Sequence, residues 1–207
     1  MVSLLPIVFS YRPNRRSCTL NVTVLDLSAY IGLTALGAAT LNMILGVLMA
    51  CRYSPVREWP HRQFNYFRLH NWCGYIAVSA SIVHPLILLF NKKPRFTIGN
   101  IAYPVQSPSQ PLENTLGAVA LYSLLIVVLT SYFRLQLGRH LWKAFHFVVY
   151  FGAAVVLVHS LLTAPDLTKT IDWLDGGKVF VETCSILIAV LAFVRWRQFG
   201  AARSRRL

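Results

Sequence analysis

Five long apolar runs constrain this chain more than any other feature of it. They fall at about 27–50, 67–90, 116–133, 141–162 and 179–196, and a helix needs about 20 such residues to cross a bilayer. A lipid-buried backbone has no water to bond to, so runs of this kind form helices whose hydrogen bonds close internally. A further apolar stretch at 4–9 is too short to be a sixth crossing. The expected fold is an all-α membrane protein, a bundle of about five transmembrane helices. Composition agrees: 56% of residues are hydrophobic, mean hydropathy is +0.53, and 13% are charged, against roughly 25% in soluble domains.

A net charge of +13 raises the question of nucleic acid. The basic residues lie between the apolar runs, with no zinc-type Cys/His spacing and no RNA-binding signature, so no nucleic-acid partner is expected and membrane lipid is. With five crossings, one side holds eight Lys/Arg and six Asp/Glu, and the other twelve Lys/Arg and the single acid Glu58. The excess places that second side in the cytoplasm, the C-terminus inside and the N-terminus outside, in a cell inner or plasma membrane. The N-terminal stretch lacks a charged start and a small-residue cleavage site, so it does not read as a signal peptide. The chain divides into an N-terminal tail (1–26), one membrane domain (27–196) and a basic tail (197–207), with no internal repeat evident. The loop at 91–115, with Pro94, Pro104, Pro108 and Pro111, reads as an ordered cap or an extended external loop rather than a helix. Cys18, Cys51, Cys73 and Cys184 form no C-x-x-C pair, and those in apolar runs read as small hydrophobes.

Against this apolar background the second run carries His70 and His84, and the fourth carries His146 and His159. An ionisable residue inside a membrane is costly and is by default a functional candidate. Both helices run in the same direction, so the histidines fall into two layers, His70 with His146 and His84 with His159, about 20 Å apart at the helical rise. One imidazole per helix in each layer is the arrangement that holds a haem iron axially from both sides. Fourteen residues return His84 to within about 40° of His70, whereas thirteen leave His159 about 140° from His146. The fourth helix therefore needs a kink or a local change of winding, and Gly152 lies between its histidines. Four separately satisfied histidines are the plainer alternative. A proton relay wants carboxylates in the membrane centre, where there are none, and zinc wants more than two imidazoles.

The stretches "LHNWCGYIAVSASIVHP" and "LWKAFHFVVYFGAAVVLVH" resemble the ferric reductase-like transmembrane domain of ferric-chelate reductases, NADPH oxidases and the haem-binding membrane subunit of bacterial methionine sulfoxide reductase systems. The resemblance spans about 27–196. It implies haem b, two groups or sometimes one, and an electron-transfer oxidoreductase whose metal ligands are His70, His146, His84 and His159. Family members usually have six helices, one more than here. Ferric reductases and oxidases continue into a flavin and nicotinamide domain, whereas this chain has no G-x-G-x-x-G after a strand. The electron donor is then expected to be a separate flavoprotein or a quinol, with a ferric chelate or another extracytoplasmic acceptor. Delivery to an extracytoplasmic repair enzyme and a non-enzymatic scaffold remain alternatives. Haem propionates need cationic partners: Arg68, Lys143 and Arg139 are candidates at the inner face, and Lys92, Lys93 and Arg95 at the outer. Tyr150 and Phe151 lie near the route between the layers, with core packing the plainer role. His61 and His140 read as surface histidines.

Overall fold

The computed structural model describes residues 23–51, 65–163 and 176–204. The helices are α1 (Val24–Ala50), α2 (Tyr66–Ile87), α3 (Ile98–Ala102), α4 (Pro111–Tyr132), α5 (Arg134–His146), α6 (Val148–Thr163) and α7 (Gly176–Ser204), with 3-10 turns at Leu88–Phe90 and Pro104–Gln106. No strand occurs among the described residues. Among the described residues, five segments are long and apolar enough to cross a membrane, α5 and α6 together forming the fourth. This is the all-α membrane bundle the apolar runs call for. The tails at 1–22 and 205–207, His61, and Cys18 lie outside the described residues.

Local chemistry sets the helix starts. Thr23 caps α1: its hydroxyl accepts from the Asp26 N–H at 3.1 Å, and the Asp26 carboxylate accepts from the Thr23 N–H at 2.9 Å. Each bond satisfies a donor that a helix start leaves open. Asn65 caps α2 by accepting from the Arg68 N–H at 3.0 Å. Pro111 opens α4, where a missing N–H costs nothing and a fixed φ helps. The segment between α2 and α4 is a built cap, as expected, though it contains the short helix α3, which was not. Asn114 ties it down by donating to the Ser107 hydroxyl at 2.9 Å and the Ser109 carbonyl at 2.7 Å, and the Tyr122 hydroxyl donates to the Ala102 carbonyl.

The crossings form a closed ring in the order α1, α2, α4, α6, α7, each packing on the next and α7 returning to α1. The buried core lies where α1, α6 and α7 meet, at Leu36, Met43, Ala153, Val181, Cys184 and Ile188, with Tyr150 packed against it. That gives Tyr150 the core role. Phe151 is exposed. Large apolar side chains cover the outside, among them Phe90, Tyr132, Ile186 and Trp196. Such a surface is stable when the surrounding medium is itself hydrocarbon. Cys73 and Cys184 are buried, as small hydrophobes.

Candidate cofactor site

Two crossings carry the four histidines, His70 and His84 on α2, His146 at the end of α5 and His159 on α6, and each crossing leans on a neighbour through small residues. On α2, Cys73, Gly74 and Ala77 are buried between His70 and His84, and α2 packs on α1. On α6, Gly152 and Ala153 are buried, and α6 packs on α4. A Cβ added at Gly152 would lie 3.0 Å from the Ser123 Cβ of α4. Small residues let helix backbones approach in lipid, where packing rather than hydrophobic expulsion drives association.

That closeness brings backbone carbonyls within reach of the imidazoles. His70 Nδ1 lies 3.0 Å from the Asn42 carbonyl of α1, His84 Nδ1 2.7 Å from the Ser28 carbonyl of α1, and His159 Nδ1 2.8 Å from the Glu113 carbonyl of α4. A carbonyl only accepts, so each of these three Nδ1 atoms carries the hydrogen. In the neutral ring that leaves Nε2 with a bare lone pair, the form that ligates metal. His146 differs: its Nδ1 lies 3.3 Å from the Ser131 hydroxyl of α4, which also accepts from Trp142 Nε1 at 3.4 Å. No hydrogen bond reaches any of the four Nε2 atoms from the described residues. Ser28 gives the His84 end a further tie, donating from its hydroxyl to the His84 carbonyl at 2.8 Å. Pro85 follows His84, and the Leu88 N–H turns to the Pro85 carbonyl as the helix tightens.

The rings meet in the two layers. The centroids of His70 and His146 are 6.4 Å apart, and those of His84 and His159 are also 6.4 Å apart. A metal–imidazole bond is about 2 Å and a ring centre lies about 1 Å behind its nitrogen, so two imidazoles facing across one ion have centroids about 6 Å apart. Both pairs match that span. Helices α2 and α6 do not themselves pack closely, so the imidazoles reach towards each other from separated helices. Among the described residues no group of three or more His, Cys, Asp or Glu converges. The donor set is thus two neutral imidazoles per layer, which suits a metal whose remaining positions are filled by a macrocycle and does not suit a bare ion. The residues present fit haem.

The change of winding in the fourth crossing falls at Phe147, between α5 and α6, and not at Gly152. There the Phe147 N–H still bonds the Lys143 carbonyl, but the Tyr150 N–H bonds the Phe147 carbonyl three residues back. This local tightening sits next to His146 and lies between the two histidines whose phase it must correct. A second bend precedes it at Gly138, whose φ of +72° is a left-handed conformation that glycine adopts freely.

Several participants carry no obvious mark in the sequence. A Cβ at Gly32 would lie 3.0 Å from the His84 ring, one at Gly46 3.3 Å from the His70 ring, and one at Gly117 2.9 Å from the His159 ring. These glycines are needed for close approach. Each stands four residues after the carbonyl that supports the same ring: Ser28 and Gly32, Asn42 and Gly46, Glu113 and Gly117. The signal was present, because Gly32 and Gly46 repeat the fourteen-residue spacing of His70 and His84. Arg68 and Lys143 are both exposed, as are Arg139 and His140. The cation with a described ring contact at the His70 end is Arg134, whose guanidinium lies 4.7 Å from the centre of the Phe67 ring.

No curated protein and no solved structure matches the chain at a significant level. The family model described as "Ferric reductase like transmembrane component" matches residues 36–157, which include His70, His84 and His146, with His159 just beyond. Over half of the sequence lies within that match, and the chain belongs to the ferric reductase-like transmembrane family, as an integral membrane component of redox, electron-transfer type.

Proposed function

We propose that the protein is a b-type cytochrome that moves electrons across its membrane through two bis-histidine haems. His70 and His146 hold the inner one, His84 and His159 the outer one. The observation that carries this reading is the equal 6.4 Å centroid separation of two imidazole pairs. Three of the rings in addition have their tautomer set by a backbone carbonyl. Haem bound in both layers supplies one-electron chemistry at two depths of the bilayer. The chain's own part is to orient the ligands. The Nδ1 bonds fix each ring and raise its basicity, Gly32, Gly46 and Gly117 let α1 and α4 stand against the rings, and the apolar bundle keeps water from the sites.

The excess of basic residues puts the His70–His146 layer on the cytoplasmic side, where Arg68, Lys143 and Arg139 are partners for propionates. The donor is a separate flavoprotein or quinol. The acceptor is a ferric chelate or another extracytoplasmic oxidant, with Lys92, Lys93 and Arg95 on that face. A pyridine haemochrome assay on purified protein tests the reading: two b haems per chain are expected. Colourless protein after haem-supplemented expression would overturn it, and one haem per chain would favour the arrangement of the methionine sulfoxide reductase subunit.

A further inference from the structure

Three of the four imidazoles rest on a backbone carbonyl, and the fourth does not. The outer pair, His84 and His159, has Nδ1–carbonyl distances of 2.7 and 2.8 Å. In the inner pair, His70 has a carbonyl at 3.0 Å, and His146 has, among the described residues, only the Ser131 hydroxyl, at 3.3 Å. A good N–H···O bond spans about 2.7–3.2 Å, so the contact of His146 is the weakest of the four. The hydroxyl is also shared, because Trp142 Nε1 points at the same oxygen from 3.4 Å and its ring lies 5.3 Å from that of His146.

Ser131 occupies a particular place. It stands fourteen residues after Gly117 on α4, just as Gly46 stands fourteen after Gly32 on α1. At the other three rings the corresponding position is glycine, and the carbonyl four residues earlier takes the Nδ1 hydrogen. Here the position is serine, and its side chain stands in for the carbonyl of Val127. That carbonyl is engaged by the Thr130 hydroxyl at 3.2 Å.

The bond at Nδ1 governs how much electron density an imidazole gives to a metal at Nε2. A strong acceptor makes the ring more basic and stabilises the oxidised metal, which lowers the reduction potential; a weak acceptor does the reverse. We infer that Ser131, held by Trp142, is a positioning residue for His146 that makes the inner bis-imidazole site the higher-potential of the two. The inference rests on the two-haem reading and adds an ordering to it. With haem in both layers, the inner site would hold an electron more tightly than the outer one.

The test is an optical redox titration of the purified full-length chain and two variants, with haem content measured on the same samples. In the unaltered protein two potentials are expected. Ser131→Ala removes the acceptor from His146 and is expected to raise the higher potential. Ser131→Gly restores the glycine of the other three sites, opens the Val127 carbonyl to the ring, and is expected to lower the same potential. A tenfold change in the reduction equilibrium corresponds to about 59 mV for one electron, and a shift of that order in opposite directions supports the assignment. With two haems retained, unmoved potentials, or movement of the lower one, would overturn the role of Ser131 and leave the two-haem reading standing. Loss of both haems from the unaltered protein would overturn the reading itself, and the inference with it.

Discussion

The two helix pairs of this bundle do the same work with unequal means. In α1 and α2 everything repeats at fourteen: the histidines His70 and His84, the supporting carbonyls of Ser28 and Asn42, and the close-approach glycines Gly32 and Gly46. Fourteen residues are nearly four helical turns, so one pattern serves both layers along a continuous helix. In α4 and the α5–α6 crossing the support helix keeps the fourteen-residue step from Gly117 to Ser131, but the histidines stand thirteen apart. One residue is about 100° of rotation. The mismatch falls wholly at the His146 end, where the helix changes winding at Phe147 and the ring leans on a hydroxyl. The His159 end keeps the full pattern of carbonyl and glycine. Ring separation is nevertheless 6.4 Å in both layers. The separation between the rings is the same in both layers, though the interplanar angle is 57° in one and 74° in the other, and the irregularity is moved behind one ring.

The largest effects are expected at the four histidines. His84→Ala or His159→Ala is expected to lower haem content from two per chain to one, with the remaining spectrum belonging to the His70–His146 site. Haem content unchanged by either substitution would dissolve the layers. Next in size come the glycines, which rank by how close an added Cβ would fall to the ring. Gly117→Ala, at 2.9 Å, is expected to impair haem retention more than Gly32→Ala at 3.0 Å, and Gly46→Ala at 3.3 Å least. Measuring haem per chain across the three checks the order. A reversed order would mean that α1 and α4 yield unequally.

Smaller effects probe the contacts behind the rings. Gly152→Val places a side chain against Ser123 of α4, and overpacking of this kind costs about 1–3 kcal/mol. Thermal unfolding in detergent should show α4 and α6 loosened before haem is lost. Ser28→Ala is expected to do least. It removes the hydroxyl bond to the His84 carbonyl and the hydroxyl's 3.1 Å contact with His84 Nδ1, but leaves the Ser28 carbonyl under that Nδ1 at 2.7 Å, and an interhelical hydrogen bond in a membrane is worth about 0.6 kcal/mol. Haem content and the outer potential should stay as they are, in contrast to the shifts expected at Ser131.

The five crossings were legible in the sequence because lipid demands long apolar runs, and the layers because histidines are conspicuous there. The phase of His146 and His159 showed that a change of winding was needed, but not where. Gly152 looked like the natural place. Its missing side chain serves the approach of α6 to Ser123 instead, and the change sits at Phe147, whose side chain gives no sign of it. The helix α3 was missed because its cap, Thr97 with Asn100, lacks the Glu or Gln of the usual box and lies in a proline-rich loop. The supports of the rings were hidden for a deeper reason. Three are backbone carbonyls, which every residue possesses, so the names Ser28, Asn42 and Glu113 do not announce the role.

Those carbonyls have a consequence for heredity. A point mutation replaces a side chain and leaves the peptide group in place, so the atoms behind His70, His84 and His159 are nearly beyond the reach of single-residue variation. The hydroxyl behind His146 is not. One codon, that of Ser131, sets the described support behind His146, whereas at His84 the Ser28 hydroxyl, 3.1 Å from Nδ1, only adds to a carbonyl that any residue there would supply. Variants selected for a changed electron partner are therefore expected to accumulate around Ser131 and Trp142, and to leave the ground under the opposite layer untouched.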